Sequence, residues 1–487
     1  MSRKNFYFAL LLVVVLVAIS LSYLKITSDK SWTLAKFNSQ RLDWRDCYGG
    51  FECSTFEVPV DYEKISKNTF TLKVLRHSAS DKRDRLGAIF VNPGGPGGSA
   101  TNYAYNAESI VSPEIISKFD IIGFDPRGIN SSEPIRCLTN SEEDEFLSAD
   151  ASGGEASKVR ELIAISKAFA AKCKKAAGAK LGHYSTLDAA KDMEVLRNLL
   201  KEKSLNYLGK SYGTYLGTLY AALYPKSVGR MVLDGAVAPN ISPQEQELAQ
   251  AVGFDKALEN YLMSQKKFKI KDITKLLDKA STDPMKSKSG RLVTESLVIT
   301  AVAQSLYDSK SGWRDLTNSL ELAIGKGDPT GILELADRYN NRDSSGNYYS
   351  NQNDISIMIT CLDWKENRTV DQMVSEQAIF KSKSSVFGPY LSFAALPCRY
   401  WKAKPKLLTF DLSKTITKPI LIIGVTEDPA TPYKWAQTLS KSFHNAELLT
   451  LKGEGHTGHN RGNKCVDSVV DSYFLTGKIP SKSLICA

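Results

Sequence analysis

Histidine is scarce in this 487-residue chain, which has only five. They are His77, His183, His444, His456 and His459, and only the last two cluster. Chemistry that needs an imidazole is therefore expected there first. The eight cysteines include no CxxC pair and none has a histidine partner at metal spacing, so a structural zinc site is not expected. The pair His456 and His459 has no third ligand at suitable spacing, which argues against a catalytic metal too. The net charge is +10, yet no basic run is interleaved with aromatic residues, and no nucleic-acid partner is expected. A mild attraction to anionic lipid or envelope polymers is the most this charge supports.

What is present begins with a large apolar reserve. At 42% hydrophobic residues, 487 positions can bury one big domain with an insertion, or two domains. Arg3 and Lys4 precede a charge-free run from Phe6 to Leu24, near the length of a bilayer-spanning helix. Ala18-Ile19-Ser20 offers a cleavage site but no clean A-x-A. Residues 1–25 thus read as a signal peptide or as an N-terminal membrane anchor, and the protein is expected outside the cytoplasm, secreted or at the cell surface. An even number of cysteines behind such a segment predicts four disulfides. Pairing neighbours in order (47–53, 137–173, 361–398, 465–486) closes modest loops, while other connectivities remain open to the sequence.

The stretch around which the chain is organised is Leu205 to Gly213, LNYLGKSYG, continuing into TYLGTLYA. It reads as a short buried strand, a G-x-S-x-G turn and a small-residue helix, the context of a nucleophile elbow. Gly209 and Gly213 leave room for a turn too sharp for bulky side chains. Ser211 would then stand exposed above the sheet edge in a strained conformation. The N–H of Tyr212, at the helix start, points where an oxyanion would develop.

Upstream, Leu86 to Val91 is an unbroken apolar run, the mark of a strand covered on both faces. It ends in Asn92-Pro93-Gly94-Gly95-Pro96-Gly97-Gly98-Ser99, a stiff loop almost without side chains. That position suits a second oxyanion donor, the N–H of Gly94 or Gly95. A phosphate-binding role is disfavoured, since the loop has no G-K-[ST] ending and no G-x-G-x-x-G. Phe119 to Asp125 is the next buried strand, and Asp125 with Arg127 is expected to form an ion pair that fixes the loop beneath the site. Strand, helix, strand, helix continues through Val228 to Gly235 and implies an α/β fold with a mostly parallel, doubly wound sheet.

After Pro239 the pattern changes to helix, without a clear buried strand from Gln244 to Gly325. Strands resume at Pro419 to Val425, and Asp428 lies just past that strand, with Glu427 as the alternative acid. Ala446 to Leu451 reads as the last strand, followed by Gly453-Glu454-Gly455-His456-Thr457-Gly458-His459. Ser211, Asp428 and His456 then occur in the order of nucleophile, acid and base used by α/β-hydrolases. His459, further along the loop, is expected to face the lid or solvent.

NPGGPGGS, FDIIGFDPRG, YLGKSYGTYLGTLYA and RMVLDG, in this order, resemble the secreted tripeptidyl-aminopeptidase-like branch of the α/β-hydrolase fold, related to the proline iminopeptidases. GEGHTG, a Tyr-Phe-Leu-Thr-Gly helix end and the final cysteine are similar to the TAP-like C-terminal region of that family. The resemblance covers most of Trp44 to Cys486 and is thin between about Ile241 and Ile355. It implies a hydrolase core over residues 26–239 and 416–487 with a helical lid over 240–415. It also implies a serine exopeptidase that needs no cofactor and acts near peptide N-termini. An esterase with the same three residues is the alternative, and a catalytically silent binding scaffold a more distant one. An aminopeptidase needs an acid for the substrate ammonium, and Asp363, held near the Cys361 bridge, is the lid candidate.

Overall fold

The computed structural model describes residues 14–18, 20, 32–149, 152, 155–406, 409–479 and 484–487. Most of the apolar run Phe6–Leu24, and with it the expected signal or anchor, lies outside the described residues. Among those described, no helix is long and apolar enough to cross a membrane.

One sheet of ten strands organises the molecule. In chain order the strands are β1 (Arg45–Cys47), β2 (Phe51–Pro59), β3 (Thr69–His77), β4 (Gly87–Asn92), β5 (Phe119–Phe124), β6 (Leu205–Lys210), β7 (Val228–Asp234), β8 (Met285–Lys286), β9 (Leu292–Val293), β10 (Ile420–Glu427), β11 (Ala446–Glu454) and β12 (Leu484–Cys486). The sheet order is β1-β2-β3-β5-β4-β6-β7-β10-β11-β12, and β8 pairs with β9 apart from it. The first three strands run antiparallel to their neighbours, and every pair from β5 to β12 is parallel. β4 and β5 are buried at every position, as continuous apolar runs require when helices cover both faces. This is the doubly wound α/β-hydrolase architecture.

Three details depart from the sequence expectations. The sheet does not end at β11, because β12 adds a further parallel strand, joined through the Cys465–Cys486 disulfide. Three residues are too few to carry a readable strand period. The helical insertion contains the small β8–β9 hairpin. Asp125 and Arg127 do not pair with each other. Arg127 turns into the core and binds Asp192 at 2.6 and 2.8 Å, with the carbonyls of Pro59, Val60 and His183 filling its remaining donors. A guanidinium buried to 1% exposure needs all of its N–H groups satisfied, and only this pocket supplies the acceptors. Asp125 faces the other way and accepts from Ser99 Oγ, Thr101 N and Thr101 Oγ1, which pins the helix Ala100–Tyr105 after the glycine loop.

All eight cysteines are paired, as 47–53, 137–173, 361–398 and 465–486.

Between β7 and β10 the insertion packs in two ways. Helices within Pro243–Tyr339 share an apolar core of their own, including Phe254, Leu258, Leu297, Leu316 and Ile332. The helix Gln352–Asp363 instead buries Ile355, Met358, Ile359 and Leu362 in the main core. Asn351 at its start donates to the carbonyls of Gly128 and Ile135, and Asp354 accepts from Cys137 N.

Candidate active site

The elbow has the geometry its glycines foretell. Ser211 stands at φ 54° and ψ −125° between β6 and the helix Tyr212–Leu223. For a non-glycine residue this backbone is strained, and such strain persists only where surroundings over-determine it. Here Ser211 N donates to Asp234 O at 2.9 Å, and Ser211 O accepts from Thr214 N and Thr214 Oγ1. A Cβ on Gly209 would lie 2.5 Å from Gly213 O, and one on Gly213 would lie 2.8 Å from Asn92 Oδ1. Neither glycine can be replaced without moving main chain.

The glycine loop lies directly over this turn. A Cβ on Gly94 would meet Lys210 O at 2.5 Å and Ser211 Cβ at 2.9 Å. Of the two loop donors expected from sequence, Gly94 N is already engaged, donating to Asn92 Oδ1 at 2.9 Å. Gly95 N makes no hydrogen bond among the described residues. Asn92, at the end of β4, was not singled out by sequence reasoning; its place directly before the loop is the signal that could have found it.

Asp428 and His456 come together. His456 Nδ1 stands 2.9 Å from both carboxylate oxygens. Asp428 is fixed by four further donors: Ala430 N, Thr431 N, Thr431 Oγ1 and Thr457 N. Acid and ring are buried at 4% and 7% exposure, and His456 Nε2 has no hydrogen-bond partner among the described residues. The histidine and serine loops meet at Asp234. Its carbonyl takes Ser211 N, while its carboxylate accepts Gly458 N at 2.7 Å and His459 N at 3.0 Å. At the next residue, a Cβ on Gly235 would lie 3.2 Å from His456 Cε1. Lys210 approaches Asp234 at 3.8 Å; burial draws both groups toward neutrality, and their mutual attraction opposes this.

The remaining sequence candidates lie elsewhere. Glu427 shares Asn260 Nδ2 with Glu454, away from the imidazole of His456. His459 was expected to face the lid or solvent. It is instead 2% exposed, and burial pulls its pKa down to about 3, with Lys210 adding to the shift. Asp363 is buried against the core. Its oxygens accept Thr186 N at 2.8 Å and Thr186 Oγ1 at 2.5 Å, and Thr186 Oγ1 also bonds the Tyr212 hydroxyl. Burial pushes its carboxyl up to about 7, against the pull of the Thr186 bonds.

A cavity of about 270 Å³ opens beside the glycine loop, lined by Gly95, Pro96, Glu247, Tyr339, Gln352 and Trp364, among others. Trp364 stacks on Tyr215 of the elbow helix, with ring centres 5.0 Å apart. A larger cavity, about 760 Å³, is lined by insertion helices together with Ser152, and its walls include none of Ser211, Asp428 or His456. Glu247 accepts from Ala395 N and from Arg368 Nη2, each at 2.8 Å. Arg368 also binds Glu366 and Glu376, so carboxylates outnumber the guanidinium they share. Burial pushes the Glu247 carboxyl up to about 8, opposed by Arg368.

Residues 384–486 match the family described as TAP-like protein. The chain is 31% identical to the serine protease Hip1 of Mycobacterium tuberculosis, over 92% of this chain and 91% of that protein. It belongs to the TAP-like α/β-hydrolases. Two further members are the tripeptidyl aminopeptidase of Streptomyces lividans (30% identity; 92% and 86% of the two chains) and a carboxylesterase B of M. tuberculosis (33%; 89% and 86%). With a serine protease, an aminopeptidase and a carboxylesterase among these relatives, this chain is a serine hydrolase enzyme.

Proposed function

We propose that Ser211 is the nucleophile, His456 the general base and Asp428 the acid of an exopeptidase that works outside the cytoplasm. The observation that carries this reading is the imidazole itself. Its Nδ1 is held by a fully hydrogen-bonded carboxylate, its Nε2 is buried without a partner among the described residues, and its loop is tied to the serine turn through Asp234. As Ser211 Oγ attacks a carbonyl carbon, His456 Nε2 takes the hydroxyl proton, and Asp428 holds the tautomer and stabilises the imidazolium. The carbonyl oxygen gains the negative charge, and the main-chain N–H groups of Tyr212 and Gly95 stabilise it. Nε2 then returns the proton to the leaving amine, and a water repeats the sequence to free the acyl group.

A peptide N-terminus suits the cavity because Glu247, in its wall, belongs to a carboxylate-rich cluster. An arriving ammonium favours the ionised carboxylate and draws off the proton that burial holds there. Glu247 takes the role first considered for Asp363, because Glu247 lines the cavity beside the glycine loop and Asp363 is not among its lining residues. Four disulfides support a location outside the cytoplasm.

The test compares free and N-acetylated peptide amides and short-chain esters on purified enzyme, beside Ser211→Ala. Free peptides should be favoured by about 30-fold or more in kcat/KM, the worth of a lost charge-assisted hydrogen bond. Equal rates on acetylated and free peptides would rule out the aminopeptidase and leave the esterase, the activity named in one relative. Fluorophosphonate labelling of Ser211→Ala would remove Ser211 from its role.

A further inference from the structure

Tyr307 follows the insertion helix Glu295–Leu306 and reaches into the loop that carries His456. Its carbonyl accepts His456 N at 2.9 Å. Arg461 Nη2 clamps the same carbonyl at 3.0 Å and His456 O at 3.2 Å. Its ring meets the imidazole edge-to-face, with centres 5.1 Å apart and planes at 88°. Gly455, at φ +100°, allows this approach, since a Cβ there would stand 3.1 Å from Tyr307 O. The Tyr307 ring also contacts Tyr339, which lines the cavity beside the glycine loop.

Resting on the reading of His456 as base, we propose that Tyr307 is a positioning residue through which the helical insertion sets the angle of the catalytic imidazole. Asp428 holds the ring at Nδ1, a single atom, about which the plane can still tilt. The Tyr307 ring blocks that tilt, and the Tyr307 carbonyl fixes the main chain from which the imidazole hangs. Nε2 must point at Ser211 Oγ when it accepts the proton and at the leaving group when it returns it, so a tilt slows both steps. The contact to Tyr339 extends this control to the substrate cavity.

The full-length enzyme carrying Tyr307→Leu, Tyr307→Phe or Arg461→Ala tests this through kcat, KM, the rate of fluorophosphonate labelling and the proton resonance of His456 Nδ1–H. Tyr307→Leu fills the volume without a ring, and should lower kcat and the labelling rate about tenfold at nearly constant KM. The Nδ1–H resonance should broaden. Tyr307→Phe keeps the ring and should restore all three readouts. Wild-type labelling by Tyr307→Leu overturns the proposal, as does a rise in KM alone, or an equal loss in the Phe and Leu variants. Should Tyr307→Leu fail to fold, Arg461→Ala removes the clamp that joins the Tyr307 carbonyl to His456 O and leaves the Tyr307 ring in place. A severalfold fall in its kcat supports the proposal, and an unchanged kcat overturns it. Labelling does not depend on whether the substrate is a peptide or an ester. A wild-type enzyme that never labels at Ser211 therefore brings down the nucleophile assignment itself, an outcome distinct from failure of the Tyr307 variants.

Discussion

Replacing Asp428 by asparagine exchanges one carboxylate oxygen for an NH₂ group, and the structure decides which. Oδ1 accepts two main-chain donors, Ala430 N at 2.9 Å and Thr431 N at 2.8 Å, so an amide nitrogen cannot stand there. It must take the Oδ2 position, where Thr431 Oγ1 can turn to accept but Thr457 N, at 3.3 Å, cannot. In that position the amide donates to His456 Nδ1 and favours the proton on Nε2, in competition with the Nδ1–H bond that Oδ1, also 2.9 Å away, can still accept. The Nε2–H tautomer is the one that cannot accept from Ser211. The wrong tautomer costs about 10³- to 10⁴-fold in kcat, or about 4–5.5 kcal/mol of transition-state stabilisation. The opposed donors at Thr457 cost about 1–3 kcal/mol of folding stability. Steady-state hydrolysis, fluorophosphonate labelling and thermal melts separate the two effects: activity should nearly vanish while the protein still folds with a lowered Tm. Activity within tenfold of wild type would refute the assignment of the acid. Glu427→Gln is the control, expected to change kcat less than threefold or so, because its carboxylate faces Asn260 rather than the ring.

Mass mapping of unreduced digests should recover the four sequential disulfides and no free thiol, and reduction should lower Tm strongly. The 36- and 37-residue loops are each worth about 3–4 kcal/mol by loop-closure entropy. Gly94→Ala should abolish activity, because its Cβ would press on Lys210 O and Ser211 at a φ of +95°, and a mutant with wild-type kcat would place the glycine loop elsewhere. Asp363→Asn should flatten the pH dependence of stability between about pH 4 and 7. The folded carboxyl, pushed up to about 7 by burial, keeps its proton where the unfolded one has lost it, so wild-type stability is full below pH 4 and falls as pH rises through 7. Identical melting profiles of wild type and Asp363→Asn from pH 4 to 8 would contradict this burial effect.

Where sequence reasoning succeeded, the signal was local. β4 and β5 are continuous apolar runs because both faces are covered, and the elbow is legible because its geometry demands glycine at Gly209 and Gly213. Asp428 follows its strand at once, which made its meeting with His456 readable from chain order. Where it failed, the deciding partner was remote. Arg127 finds Asp192 65 residues away on a helix, which adjacency to Asp125 could not reveal. His459 has no polar feature to betray that Asp234 would hold its main chain in the interior. Asp363 reads as a rigid lid acid, and only the packed helix Gln352–Asp363 brings it to Thr186. Within the insertion, amphipathic periods announce helices but not which core each one joins.

The two ways in which the insertion packs give the cavity beside the glycine loop two unlike walls. One wall, with Gln352 and Trp364, belongs to a segment joined to the hydrolase core by Asn351 and Asp354 and by the apolar side chains of its helix. The facing wall, with Glu247 and Tyr339, belongs to helices packed largely on one another. On the proposed reading of this cavity as the substrate site, the two walls rest on different foundations. Groups that touch the first wall should be accepted or refused by size, because a misfit there disturbs the main core. Groups that touch the second bear on a core that belongs to the insertion, so substitutions there should alter selectivity at less cost to the rest of the fold. Redesign of selectivity has a natural order as a result: change the second wall to broaden what is accepted, and the first to narrow it.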